Sequence, residues 1–303
     1  MSALGQACGS ASARNLVGDP IDVVTGANQD RALDGTLDGP IPVQLFRYYD
    51  SRWSATQRGL GYGHRHGFEH WLVFDLDGVT YRAPDGRDRH FRHFTGDGER
   101  QASGGVWLER ASAERYELTG YGLPKLVFRR PPRAREAELV EWIEEVDGAE
   151  ERLRFLYEAG RLDKILAPRH ETLKLAWSAD GLLDGVEHWS SDGHSRKWLI
   201  RYEYERGYLT GGTDAYRQTF RLAYDVNGLV CRRTDRRGYS FYFEYDRNGR
   251  CVASQGVDGV LSVQLTYKPL EYETRVVDAN GAEWIYQYTP EGVVTTGAPT
   301  SVT

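Results

Sequence analysis

"FRLAYDVNGLVCRRTDRRGYSFYFEYDRNGRCVASQGVDG", residues 220–259, decides how this chain reads. "FRLAYD" and "FYFEYD" alternate apolar and polar positions and end on Tyr-Asp. An Asn-Gly pair follows, and then a second short run begins. Alternation of period two marks half-buried strands. Asn227-Gly228 and Asn248-Gly249 are expected to supply the positive φ values of a tight hairpin turn. The unit is therefore strand, turn, strand.

Outward from this stretch the unit recurs. "LRFLYEAGRLDKI", "LKLAWSADGLLDGV", "IRYEYERGYL", "VQLTYKPLEYETRVVDANG" and "WIYQYTPEGVV" share an alternating run that ends on an aromatic. The aromatic anchors are Tyr157, Trp177, Tyr204, Tyr224, Tyr245, Tyr267 and Tyr288, spaced 20, 27, 20, 21, 22 and 21 residues apart. Each anchor is expected to pack with the apolar positions of a neighbouring hairpin. One hairpin alone is marginal, whereas a stack buries a continuous face. "AREAELVEWIEEVDGAEERLRFLYEAGRLDKIL", from Ala134, is rich in helix formers. The Asp147-Gly148 and Ala159-Gly160 breaks nevertheless suit hairpins better than one long helix. Strands are expected across Glu136 to Leu166.

The composition agrees. The chain has 303 residues with 19 Tyr, 8 Trp and 34 Gly against one Met, a skew toward strands and turns. A net charge of −6 argues against a nucleic-acid partner. Cys8, Cys231 and Cys251 are too few for a disulfide framework and point to synthesis in the cytoplasm. Cys231 and Cys251 occupy nearly equivalent repeat positions and read as two buried thiols. No membrane span and no cleaved signal peptide are legible, so any export is expected to use another route.

"GLGYGHRHGFEHWL", residues 59–72, holds His64, His66 and His70. On one continuous strand these three point the same way, and a strand can offer two imidazoles to one zinc. The competing reading is a structural strand with histidines packed on aromatics. His90 and His93 follow in the next hairpin. No P-loop, dinucleotide fingerprint or serine-hydrolase elbow occurs. Many acidic residues sit in Asp-Gly turns, such as Asp77-Gly78, Asp85-Gly86, Asp192-Gly193 and Asp258-Gly259, where turn chemistry explains them. "RRPPRAR", Arg129 to Arg135, reads as a solvated linker. No catalytic residue and no cofactor are assigned, and the chain is not expected to be an enzyme.

The repeat resembles the YD repeat of Rhs proteins. "YDRNGR", Tyr245 to Arg250, matches the Tyr-Asp, two variable residues, Gly-Arg pattern in full; "YDVNGL" loses the Arg and "YEAGRL" is one residue shorter. "GDPIDVVTGANQD", "GPIPVQLFRYYDSR", "GLGYGHRHGFEHWL" and "YRAPDGRDRHF" resemble pieces of the Rhs N-terminal domain in the family's order. The likeness covers about residues 18 to 290. It places the histidines on a structural strand, with His64 where the family has tryptophan.

The resemblance implies an all-β fold of stacked antiparallel hairpins forming a curved, partial β-cage beside an N-terminal β domain. The expected divisions are a flexible segment 1–17, an N-terminal domain 18–130, a linker 131–138, a repeat array 139–292 and a flexible tail 293–303. Family members encapsulate and carry a C-terminal toxin, with type VI secretion and its VgrG and PAAR spike components as delivery partners. No PAAR-like or toxin segment is legible here. About 14 strands at roughly 4.8 Å each would close into a ring only about 21 Å across, too narrow for a folded domain. The chain is thus expected to be a shell segment whose partners are other Rhs segments, a toxin domain or a second copy of itself. The alternative is a stand-alone β-repeat module that binds carbohydrate or protein. An enzyme built on the histidine strand is a third reading.

Overall fold

The computed structural model describes residues 16–192 and 194–299. Among them there is no α-helix, and 22 strands belong to one antiparallel sheet. The stretch read as hairpins despite its helix-forming composition is three strands, Glu136–Val146, Ala149–Glu158 and Arg161–Leu166. Alternation explains the outcome. Ala137, Leu139, Ile143, Leu153, Phe155, Leu162 and Ile165 are buried. The charged residues face outward, where Arg152 lies 3.4 Å from Glu141 across the strands and 3.3 Å from Glu150 on its own strand. The interleaved charges that suggest a helix are cross-strand and same-face pairs on a sheet.

The residues gather into two compact units. One holds residues 33–46 and 65–201, the other residues 16–32, 47–64 and 202–299. This division does not follow the expected boundary near residue 131, because parts of the N-terminal region pack within each unit. The expected linker is also folded. Glu136–Glu138 pair with Trp71–Val73, and Phe74 N–H donates to Arg135 O at 2.8 Å. Of the segments expected to be flexible, residues 1–15, Cys8 among them, and 300–303 lie outside the described residues. Leu16–Val17 pairs with Ile21–Asp22, and Val294–Pro299 pairs with Glu283–Tyr288.

In the first unit the strand Glu136–Val146 is a branch point. One edge carries Leu123–Arg129. The other carries Trp71–Val73 at its start and Ala149–Arg154 further on. The ladder forks here and does not close into a barrel.

The turns correct the expectation for Asn-Gly. Gly228 and Gly249 have φ of 77°, but neither Asn227 nor Asn248 is left-handed. Asp225 N–H donates to Leu229 O at 2.9 Å, and Gly228 N–H donates to Asp225 O at 3.1 Å. That pattern is a three-residue loop, a type I turn closed by a left-handed Gly. The Asp selects it. Asp225 Oδ1 accepts from the amides of Asn227 and Leu229, both at 2.9 Å. Asp246, Asp278, Asp235 and Asp214 do the same for the amides two and four residues on. The two-residue turns with two positive φ values fall elsewhere, at Gly104-Gly105, Asp147-Gly148, Ala159-Gly160 and Arg206-Gly207. No Asp precedes those loops.

Asp246→Ala should therefore destabilise the protein by about 1–2 kcal/mol, the cost of losing a side-chain acceptor for two backbone amides. Asp147→Gly, at a left-handed position with no such duty, should be neutral or stabilising. Urea denaturation of the two variants checks the assignment.

Candidate functional site

The repeats have a seam that recurs in the same geometry. The ladder between neighbouring hairpins ends at Lys164↔Lys174, Gly211↔Arg221, Arg232↔Tyr242 and Ala253↔Gln264. Two residues beyond each ending stand Leu162, Leu209, Val230 and Cys251, with carbonyls that have run out of ladder. The anchor of the next hairpin meets each one. Trp177 Nε1–H donates to Leu162 O at 2.8 Å, Tyr224 O–H to Leu209 O at 2.7 Å, Tyr245 O–H to Val230 O at 2.8 Å and Tyr267 O–H to Cys251 O at 2.6 Å. A buried carbonyl without a partner is costly, so an aromatic with a polar tip is the residue the seam needs. Burial pushes the Tyr224, Tyr245 and Tyr267 phenols well above their ordinary range, so they stay protonated donors.

The anchors also sit at β-bulges. At Tyr157, Trp177, Tyr224, Tyr245 and Tyr288 one residue of the opposing strand is skipped. Cys231 is the skipped residue opposite Tyr224, whereas Cys251 is the direct partner of Tyr245. The two thiols are therefore not equivalent. Cys251 is fully buried, which pushes its thiol up to about 12, while Cys231 is half-buried.

In the second unit the N-terminal segments fill the same seams. Val230 N–H donates to the Tyr49 hydroxyl at 3.0 Å, and Cys251 N–H donates to Gly26 O at 2.8 Å. Asn28 Nδ2–H donates to the Tyr245 hydroxyl at 2.9 Å, and the Thr274 hydroxyl donates to Val23 O at 2.6 Å. Arg233 bridges Asp19 and Asp30, and Arg47 lies 4.1 Å over the Phe220 ring. Sequence reasoning missed Asn28, Arg47, Tyr49 and Arg233. Their only signal in the sequence is the order of the N-terminal pieces, which says nothing about contacts some 200 residues away in the chain.

The histidines do not share one strand face. The strand His64–His66 stops at a turn, in which Glu69 N–H donates to His66 O at 3.0 Å and His70 N–H to Phe68 O at 2.9 Å. The next strand, Trp71–Phe74, starts after His70. His64, 1% exposed, packs on Tyr49 with ring centres 4.8 Å apart, and its Nδ1 lies 3.0 Å from Tyr62 O. Beside it is a small void of about 10 Å³ lined also by Asn28 and Arg233, the size of one water. His66 accepts from Phe68 N–H at Nδ1, lies 3.5 Å from Glu69 and meets Trp177 edge-on. His70 Nδ1 is 2.7 Å from the Tyr81 hydroxyl. His90 and His93 bond Thr80 and the Leu76 carbonyl. Among the described residues no three His, Cys, Asp or Glu side chains gather as a metal set. Burial pushes His64 and His66 down to about 3, with Arg47 and His70 respectively adding repulsion, and burial pushes His70 down to about 4.

What fold and site define is an all-β repeat protein with aromatic seams and N-terminal segments packed into them. Residues 18–91 match a family model described as a domain of unknown function, DUF6531. No curated protein matches the chain. Among solved structures the chain is similar to TcdB2-TccC3, at 11% identity and a TM-score of 0.33, covering 91% of this chain and 20% of that one. It is similar to TcdB2-TccC3 without the hypervariable C-terminal region, at 9% identity and a TM-score of 0.33, covering 99% of this chain and 22% of that one. A Tc holotoxin pore of Photorhabdus luminescens with a substituted TccC3 matches at 8% identity and a TM-score of 0.26, covering 90% and 21%. The chain thus spans about a fifth of the length of these structures.

Two outcomes test the site. Tyr245→Phe removes a hydroxyl bonded on both sides to buried groups and should cost about 2–3 kcal/mol. Tyr242→Phe, at a 41% exposed ring, should stay within about 0.5 kcal/mol; denaturant midpoints compare them. The buried neutral histidines set a pH dependence. Their folded values lie below the ordinary 6.5, so the unfolded chain binds more protons in between. Stability should be fully present above about pH 6.5 and fall as pH drops toward 3, with each imidazole contributing about 1.4 kcal/mol per pH unit within that window. His66→Gln should flatten the slope in a pH series of thermal melts.

Proposed function

We propose that the chain is a non-catalytic shell segment of an Rhs-type toxin carrier, serving to enclose or transport a toxin domain. The observation that carries this reading is the seam. At four successive points a carbonyl left by one hairpin is capped by the anchor of the next, so the array is built by addition and nothing in the rule limits its length. The last described strand, Val294–Pro299, has a ladder partner on one side only among the described residues. A further hairpin can pair there. The YD-like repeats, of which "YDRNGR" at Tyr245 to Arg250 is the full match, the N-terminal motifs in order and the DUF6531 match over residues 18–91 support the same reading. In its finer form the segment is made in the cytoplasm, leaves without a cleaved signal peptide and travels with a type VI apparatus, with VgrG and PAAR spike components as partners. The catalysis belongs to the cargo.

The test is assembly. Size-exclusion chromatography with light scattering over a dilution series, alone and with the polypeptide encoded immediately downstream, should show self-association or a complex. A strict monomer that ignores the downstream product favours the stand-alone binding module.

A further inference from the structure

The first unit contains a cavity of about 290 Å³ that the seam chemistry does not use. Its floor is apolar, formed by Leu37 and Leu199, which are 9% and 6% exposed. Pro40 and Pro168 wall it. His188 and Lys197 stand directly opposite each other in the ladder and so share a face. The His188 ring is bound through Nε2 to the Glu171 carboxylate, which occupies the one acid on that side. Arg169 and Lys197 also line the cavity, and neither forms an ion pair among the described residues. Asp38 adds one acceptor to the lining.

The backbone of this turn sets where Arg169 stands. Arg169 and His170 are both left-handed, with φ of 63° and 64°. The turn that holds them is closed by Ala167 N–H donating to Glu171 O at 2.8 Å. The same five-residue turn recurs at Gly256 to Val260, again closed at 2.8 Å. There the left-handed positions are Asp258 and Gly259, at 59° and 75°. Asp and Gly tolerate that region more readily than Arg does. The turn fixes the backbone from which the Arg169 side chain springs at the cavity lining.

We propose that this cavity binds a small hydroxylated anion of monosaccharide size. Arg169 and Lys197 hold its carboxylate or phosphate, Asp38 accepts from its hydroxyls, and its apolar face lies on Leu37 and Leu199. The volume is at the lower end of small-molecule sites, which suits a single sugar ring.

Isothermal titration of the full chain at low ionic strength, with glucose 6-phosphate, glucuronate, glucose and inorganic phosphate as probes, tests the assignment. At least one of the two sugar anions should bind, and the stronger identifies the anionic group. Glucose should not bind, and inorganic phosphate should bind more weakly than the preferred sugar anion. Arg169→Gly should weaken binding about tenfold, the loss of one charge-assisted contact. Its melting temperature should hold or rise, because the turn strain is relieved. Lys197→Met, which keeps the fold of an exposed strand position, should weaken binding similarly. Binding by none of the probes overturns the proposal. So does sugar-anion binding that survives both substitutions, or inorganic phosphate binding as well as the sugar anions.

Discussion

The structure depends on what happens where two neighbouring hairpins part. Two residues beyond the last ladder pair, a backbone carbonyl is left without a strand to bond. Water could satisfy it only if the seam stayed open. The next hairpin instead reaches back with a Tyr or Trp whose ring fills the gap and whose O–H or N–H caps the carbonyl. An all-carbon ring would fill the same space and leave the carbonyl unmet. The aromatic anchors therefore do two jobs that one apolar residue could not, and this explains why the repeat keeps Tyr or Trp at that place.

The N-terminal segments complete the same accounting in the second unit. The amides of Val230 and Cys251 face the same problem as their carbonyls, and Tyr49 and Gly26 answer it. Asn28 bonds the Tyr245 hydroxyl from the other side, so that hydroxyl both donates and accepts. Arg233, held by Asp19 and Asp30, ties a repeat strand to the segment that opens the described chain. In this unit the early residues are part of the repeat core and not a lid laid over it.

The histidine segment shows how spacing misleads when a turn intervenes. His64, His66 and His70 align on paper because a strand of seven residues is assumed. Gly67 N–H bonds the Phe46 carbonyl, and the chain then turns back on itself before Trp71. Each imidazole is buried against a different aromatic and is held neutral by that burial. Neutral buried rings make these residues acid-sensitive parts of the core.

Alternation by itself determined that the chain is all-β, even across Glu136 to Leu166, because a period of two with apolar residues on one face admits no helix. The anchors and the Asp-x-x-Gly loops were legible as a repeat for the same reason: they are local, and each is set by residues within one hairpin. The turn type was read only in part. The sequence displays Asn-Gly, but the preceding Asp, by binding two amides, selects the three-residue loop. Tertiary structure alone decided which carbonyl each anchor caps, which N-terminal residue enters which seam, and that the linker residues Glu136–Glu138 form a branch point. Those choices rest on contacts between residues far apart in the chain. No pattern within a hairpin encodes them, because a buried hydrogen bond fixes its partner only once both strands are in place.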